Sequence, residues 1–594
     1  MSYRAPVRDQ MFVLREVLEL DRYSNLPGFA DAALDTVEQI LTESARFCEE
    51  VLAPVNRVGD TEGCHWSNDF TVKTPKGFPE AYKTMVEAGW PALGAATEFG
   101  GQGLPRVVSL AYSEMSSSAN MAFSMYPGLT HGAYSAIAEG GSPEQKATFL
   151  PKLASGQWGG TMNLTEPQCG TDLGLLRTKA VPQADGSYRI TGEKIWISGG
   201  EHDLAENIVH LVLARIEGAP AGVRGISLFI TPKFLPTADG GVGPRNAGVK
   251  CVGLEEKMGI HGNATCFMSY EDAQGWLIGE ENAGLRLMFV MMNEARLGVG
   301  LQGLAQGEAA YQAACDFARE RLQGRALSGP KNPDGPADPI IVHPDVRRML
   351  MDSRAILEGG RAFLLWTALQ GDLMHESPDE AVRQKASDYM GLMTPVAKGF
   401  LTDKGFKICS DAMQVHGGSG FTEHFPASQY LRDVRISMIY EGTNGIQALD
   451  LVGRKLAANG GRAALSFFAE VDAFTDAHAG NDGLGPFVEG LAGVKAQLQE
   501  GTFWLMQNGV QNPEDAGAAS MDYLHLFGLT ALAYMWALMA KAALPKAGDP
   551  DPFYADKLAT GRYFIDRVLP DSTSHLAKLK TGSKTMMALK AEAF

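Results

Sequence analysis

A carboxylate next to a glycine at the mouth of a helix is the setting in this chain that most suggests chemistry. Tyr440-Glu441-Gly442-Thr443-Asn444 follows Arg435–Tyr440, which reads as an extended run. It precedes apolar residues at helical spacing, Ile446, Leu449, Val452 and Leu456, with Ala448 and Leu451 beside them. Thr443 or Asn444 is placed to cap that helix. A Glu there can serve as a general base, or it can simply complement the helix dipole. Three other stretches bear on the choice. Thr161–Asp172 brings Met162, Leu164, Thr165, Gly170 and Thr171 together, with hydroxyls and backbone donors able to ring an electron-rich heterocycle or a pyrophosphate. Within Gly192–Ser198, Trp196 and Ser198 are two apart and so share one side of a strand, an aromatic plane beside a hydroxyl. Gln414–Phe421 contains Gln414, Val415, His416, Gly417 and Gly418, a glycine-rich turn that lets backbone approach a nucleotide.

These residues are far apart in the chain, so several elements must bring them together. Residues 1–158 read as helical, with long apolar-periodic segments and glycine-rich loops. The texture changes near Trp158. Tyr188–Ser198, Ile208–Ile216 and Gly225–Thr231 have strand character, and residues 159–282 predict a compact β domain. Helical spacing returns over 283–459, broken by the Pro/Gly-rich loop Ser328–Pro339. Gly460-Gly461 reads as a joint, and 460–594 as a helical extension. The fold class is therefore mainly α with a central β domain. Gly298-Val-Gly300-Leu-Gln-Gly303 matches a dinucleotide fingerprint but lacks the required preceding strand, because helix is already under way at Met288–Arg296.

Bulk properties restrict the class. At 594 residues the chain predicts two to four domains, and a net charge of −17 argues against a nucleic-acid binder. An anionic small ligand needs only a local pocket of cations and N–H groups. Seven scattered cysteines, without a C-x-x-C pair or zinc spacing, favour a reduced cytoplasm and no metal site. The opening residues lack an apolar signal core. The most apolar run, Leu526–Ala540, is short for a bilayer span and predicts a buried bundle helix, not a membrane anchor.

The motifs together resemble the acyl-CoA dehydrogenase family over about residues 35–455. They are Gly89–Gly94 with Glu98–Pro105, Leu164–Pro167 with Gly170–Asp172, Gly192–Lys194 with Trp196–Ser198, Glu320–Gly324, Gln414–Phe421 and Tyr440–Thr443. Asn163, Cys169, His424 and Gln429 depart from the family pattern. The resemblance implies an N-terminal helical domain, a middle β-barrel, a C-terminal helical bundle and non-covalent FAD. By position, Met162, Leu164 and Thr165 would contact the isoalloxazine, with Trp196 flanking it and Ser198 reaching N5. Thr171 would lie near the phosphates of flavin or CoA. Arg321 and Gln323, with Gln414–Gly418, would hold diphosphate and adenosine across a subunit interface, so the resemblance implies a homodimer or a dimer of dimers. Gly442, Thr443 and Asn444 would meet the cofactor beside the base, and Asn293 and Arg296 would meet acyl-CoA. For Arg296 a surface ion pair is the plain alternative.

The resemblance implies that Glu441 takes the α-proton of an acyl-CoA thioester while the β-hydrogen leaves as hydride, giving a trans-2-enoyl-CoA, with electron-transfer flavoprotein as the expected electron acceptor. Burial would raise the base's pKa and the helix terminus would lower it, so the direction is open. The N-terminal segment, the Lys257–Cys266 loop and the long tail resemble the bacterial branch of the family that oxidises 3-(methylthio)propanoyl-CoA in dimethylsulfoniopropionate demethylation. A general short- or medium-chain acyl-CoA dehydrogenase of β-oxidation is the alternative, and an acyl-CoA oxidase a further one. A DNA-associated flavoprotein would need a basic C-terminal face, and a membrane-surface enzyme a basic amphipathic helix. The tail shows neither, and reads as a helical cap that buries surface and stabilises the dimer.

Overall fold

The computed structural model describes residues 3–594. Helices carry most of the chain, and a β domain separates an N-terminal helical region from a C-terminal bundle. Of the N-terminal helices, α1 (Arg106–Ala119) and α2 (Met121–Gly140) matter most for the site. Helix α2 starts at Asn120, whose side chain caps the Phe123 N–H.

The β domain opens with β1 (Trp158–Asn163), followed by β2 (Lys179–Pro182), β3 (Tyr188–Ser198), β4 (Asn207–Ile216), β5 (Ser227–Pro232), β6 (Val249–Leu254) and β7 (Thr265–Ile278). Strand β7 pairs with β3, β3 with β2, β2 with β4, β4 with β5, and β5 again with β7, which closes a five-stranded barrel. Strand β4 lies between neighbours and is buried along almost its whole length, which explains its unbroken apolar run. Strand β1 runs parallel to β4 at the edge. Helix α2 lies so close to β1 that a Cβ on Gly160 would come 2.5 Å from that of Ala133, and the Gly160 N–H donates to Thr130 Oγ1. That contact joins the first helical block to the barrel.

Two long helices, α3 (Gly284–Glu320) and α5 (Glu380–His416), form the centre of the C-terminal bundle, with α4 (Pro344–Glu376) across them. The glycine-rich stretch at 298–303 lies in mid-helix on α3, as its helical context predicts. A Cβ on Gly303 would stand 2.7 Å from the Cα of Thr402, and one on Gly405 would meet the Gly303 carbonyl at 2.1 Å. These glycines allow two backbones to touch.

Short α6 (Asn444–Asp450) leads to a break at Asn459-Gly460-Gly461, all three at positive φ. The extension beyond it includes α7 (Pro513–Ala543), α8 (Phe553–Tyr563) and α9 (Asp571–Leu579). Helix α7 with its following turn, Pro513–Lys546, is long and apolar enough to cross a membrane, yet 83% of its most apolar window is buried inside the fold. It is a bundle helix, as expected from its length and flanks. A Cβ on Gly399 would meet Leu524 at 2.7 Å, and Trp536 Nε1 donates to the Ala355 carbonyl. The extension is thus packed into its own chain's bundle.

Candidate active site

Glu441 lies in the loop before α6, and the local structure differs from the sequence reading in three ways. Arg435–Met438 is a 3₁₀ turn, not an extended run, because it continues directly from the helix Ala427–Val434. Helix α6 and the π-helical turn after it bury Ala448 and Leu451 while Leu449 is exposed, so the inward face is rotated from the predicted stripe. Thr443 is the N-cap: its hydroxyl accepts the Ile446 N–H at 3.3 Å. Asn444 is the first helical residue, and its side chain turns inward. There Asn444 Nδ2 donates to Asp403 Oδ1 at 2.7 Å and to Thr402 Oγ1 at 2.9 Å, while Lys398 Nζ donates to Asn444 Oδ1 at 2.8 Å. This side chain braces the loop; it is not free to meet a cofactor.

Glu441 itself has φ +59° and Gly442 φ +86°. A left-handed Glu is strained, and such strain persists only where the surroundings over-determine the backbone. Here Gln447 Nε2 donates to the Glu441 carbonyl at 3.0 Å and Lys398 Nζ to the Gly442 carbonyl at 2.7 Å. Gly442 is required by this backbone, and a Cβ there would stand 2.8 Å from Gln447 Nε2. The Glu441 N–H donates to no group among the described residues.

Glu441 lines a cavity of about 250 Å³ whose walls come from α1, α2, α3 and the turn at Trp90. Ser198 lines the same cavity. Desolvation there pushes the Glu441 carboxyl up to about 7, against the pull of Arg296 and Lys398. Burial likewise pushes the Lys398 ammonium down to about 8, although Glu441 and Asp403 favour its charge. Burial thus outweighs both nearby cations, and the carboxyl is raised. A base must hold no proton to accept one. We therefore expect kcat/KM to rise with unit slope below pH 7 and to level off above it, as measured by initial rates across pH with saturating acceptor. A flat profile from pH 5 to 8 would exclude Glu441 as the group whose ionisation limits the reaction.

Arg296 is not a surface ion pair. It is 8% exposed, sits 3.9 Å from Asp450, and has an unpartnered Nε. Asn293 is exposed and neither residue lines the cavity, whose α3 wall is made by Met291, Glu294, Leu297 and Leu301. Residues the sequence reading missed are Lys398, an isolated lysine inside the apolar run Val396–Leu401, and Ser109, Ser113, Ser116 and Ser117 on α1. The serines' i, i+4, i+7, i+8 spacing within an apolar helix was the available signal.

The expected flavin-facing residues collect on the barrel's outer side. On β1, Thr161 and Asn163 point into the barrel while Met162, and Leu164 just past the strand, are partly exposed. Asn163, the departure from family pattern, is satisfied inside by Tyr270 and Thr161 at 2.8 Å each. Thr165 continues this face, and Gly170 and Thr171 lie exposed in the following loop. That loop is tied to β3 by Lys194, whose Nζ donates to Glu166 at 2.9 Å and to the Leu164 carbonyl at 3.0 Å. Burial pushes the Glu166 carboxyl up, yet Lys194 and the Thr178 hydroxyl hold it down to about 2. Trp196 is 58% exposed at φ +59°, in a bulge where the β3–β7 register slips, so simple alternation does not set its direction.

The remaining expected residues gather at the far end of the bundle. Helix α5 ends at His416, with Gly417 at φ +60°; a Cβ on Gly417 or Gly418 would meet nothing within 4 Å. Val415 and His416 turn their side chains inward, His416 against Phe317 at 4.5 Å, so only their backbone could face a ligand. Arg321 and Gln323 are exposed, and the Arg321 guanidinium has no ion pair or hydrogen bond among the described residues. An apolar and hydroxyl face with an open indole suits a flavin ring, and an unpaired guanidinium near open glycines suits a diphosphate. The residues fit FAD.

A helical–barrel–helical chain with a desolvated Glu beside such a face defines a flavin-dependent dehydrogenase of acyl thioesters. The chain matches the acyl-CoA dehydrogenase N-terminal domain over 35–157, the middle domain over 161–273 and the C-terminal domain over 282–456. Residues 467–590 match the acetyl-CoA dehydrogenase C-terminal-like model. It is 44% identical to 3-methylmercaptopropionyl-CoA dehydrogenase of Ruegeria pomeroyi over 99% of this chain and 100% of that one. It is 36% identical to the broad-specificity linear acyl-CoA dehydrogenase of Mycobacterium tuberculosis over the full length of both. The structure of an acyl-CoA dehydrogenase of Bacillus anthracis complexed with FAD superposes with TM-score 0.74 at 22% identity, covering 92% of this chain and 88% of that one. The chain belongs to the acyl-CoA dehydrogenase family: its cofactor is FAD and its reaction the α,β-dehydrogenation of an acyl-CoA thioester.

Proposed function

We propose that this enzyme oxidises 3-(methylthio)propanoyl-CoA to the 2,3-enoyl thioester, with Glu441 as the base. The observation that carries the assignment of Glu441 is its placement on the wall it shares with Ser198, desolvated and with a free backbone N–H. The carboxylate takes the α-proton, and the same residue's N–H is available to the thioester oxygen as negative charge develops there. Lys398 and Gln447 hold the backbone that aims both groups. Bound FAD supplies the acceptor for the hydride leaving the β-carbon. Met162, Leu164, Thr165, Trp196 and Ser198 are the proposed contacts of its ring.

The proposed acyl group follows from the relative of Ruegeria pomeroyi and from the cavity wall. Four serines of α1 line it beside Trp90 and Tyr112, which stack at 5.6 Å, and the thioethers of Met125 and Met291. A plain alkyl chain gains nothing from hydroxyls. A short chain with a polarisable sulfur gains about 0.3–1.5 kcal/mol from an aromatic face. The test is anaerobic flavin bleaching by 3-(methylthio)propanoyl-, butanoyl-, octanoyl- and phenylpropanoyl-CoA. The first is expected to bleach fastest, and since one methylene changes discrimination by ~1–3 kcal/mol, a preference for octanoyl-CoA would be plain and would overturn this substrate.

The proposed unit is a homodimer or a dimer of dimers. The Arg321 guanidinium of one copy would then serve the flavin bound at the other's barrel. Seven free cysteines support a reduced compartment, and the cytoplasm is the proposed location. Electron-transfer flavoprotein is the proposed acceptor; peroxide released under turnover would replace it with oxygen.

A further inference from the structure

The loop that aims Glu441 is held from beyond the family's three shared domains. Asn444 and Lys398 brace it, and Asn444 Nδ2 rests on one oxygen of Asp403. The other oxygen of Asp403 accepts from His525 Nε2 at 2.9 Å. His525 belongs to α7, in the C-terminal extension. Its ring stacks on that of His575 of α9 at 5.1 Å and 13°, and His575 Nδ1 is 2.8 Å from Asp522 Oδ1. The ring edge of His525 also meets Phe400 on α5. Two extension helices therefore fix one imidazole, and that imidazole fixes the carboxylate on which Asn444 rests.

We propose that His525 is a positioning residue for the catalytic loop, so that the extension is a working part of the active site as well as a cap on the bundle. This rests on Glu441 being the base. The chain of contacts is short: His525 to Asp403, Asp403 to Asn444, Asn444 to Lys398, and Lys398 to the Gly442 carbonyl. Each donor–acceptor step is between 2.7 and 2.9 Å, and Lys398 and Asn444 are 0% and 6% exposed. A carboxylate with one oxygen on Asn444 and the other on His525 has its plane set at both ends. Without the second donor it can rotate, and buried Asn444 loses a fixed acceptor. A left-handed Glu depends on such fixation, because nothing in its own backbone preference holds it there.

The test uses the FAD-loaded full-length enzyme. His525→Phe keeps a flat ring able to stack on His575, though a larger one, but removes the donor, and His525→Gln keeps an N–H at a similar reach. His525→Phe is expected to slow anaerobic flavin bleaching by acyl-CoA about 10-fold, with KM changed less than twofold and FAD content unchanged. His525→Gln is expected to recover the rate to within about threefold of wild type, since a neutral N–H can still reach Asp403. His525→Ala supplies a second donor-free variant should Phe disturb packing. Wild-type bleaching in either donor-free variant overturns the proposal. So does a loss that tracks falling FAD content or Tm and is not recovered in His525→Gln, which would show a structural role alone. Glu441→Gln separates the two readings. Unimpaired bleaching there defeats the base, whereas a dead Glu441→Gln beside an unimpaired His525→Phe defeats only the positioning role.

Discussion

Glu441→Gln is expected to give a folded, yellow, FAD-loaded protein whose flavin is no longer bleached by acyl-CoA, a loss of about 10⁴-fold, at the upper end of what one general base contributes. The amide keeps the side chain's size and the backbone N–H, so binding survives while the proton acceptor is lost. Stability provides the control, and its sign follows from the raised carboxyl. Between the ordinary Glu range and about 7 the folded state holds a proton that the unfolded chain has released, so this residue's contribution to stability falls as pH rises through that window. Gln carries no such penalty, and the variant should melt no lower than wild type at pH 8. Rapid bleaching measured by stopped-flow absorbance would remove Glu441 from the role of base. A collapse in Tm would instead show that the substitution had damaged the loop.

The second large effect lies away from the site, where the chain's two ends meet. Arg361 of α4 is 2% exposed and donates to Glu114 of α1 and Glu308 of α3 at 2.8 Å each, and to Asp9. Lys557 of α8 joins Asp9 and reaches Glu358 at 2.6 Å. Arg361→Met fills similar space but leaves Glu114 and Glu308 without a cation while Asp9 keeps Lys557, and removing one partner of a buried ionic group costs about 3–5 kcal/mol. Burial already raises the Glu114 carboxyl against the pull of Arg361, and losing that pull raises it further, so the deficit should be smaller at pH 5, where the group can be protonated, than at pH 8. The measurement is the denaturant midpoint of the holoenzyme at both pH values. Equal midpoints for variant and wild type would show that the cluster adds specificity without stability.

The sequence by itself determined the order of blocks, the identity of the family, and Glu441 as the carboxylate to watch. Those rest on short-range signals: helical or strand periodicity, a threonine three residues before the N–H it caps, and motifs whose spacing a local backbone fixes. The long apolar helix α7 was legible as a core element for the same reason, since its length and polar flanks are local facts. The middle of the GxGxxG match was legible too, because a helix already under way leaves no strand before it.

Tertiary structure alone decided what those residues touch. Asn444 could cap a helix, meet a cofactor or face inward; Lys398 and Asp403, some 40 positions earlier, draw it inward by hydrogen bonds. Arg296 could have been a surface cation, yet the packing of α3 buries it within reach of Asp450 and in the field of Glu441. Trp196 obeys a bulge and not the alternation of its strand. The rise of the Glu441 pKa was undecidable beforehand because desolvation and a helix terminus oppose each other, and their balance depends on how completely distant helices exclude water. Local patterns are set by contacts within a turn of helix or a strand pair. The site is set by which faces meet across the bundle, and one sequence carries no direct record of those meetings.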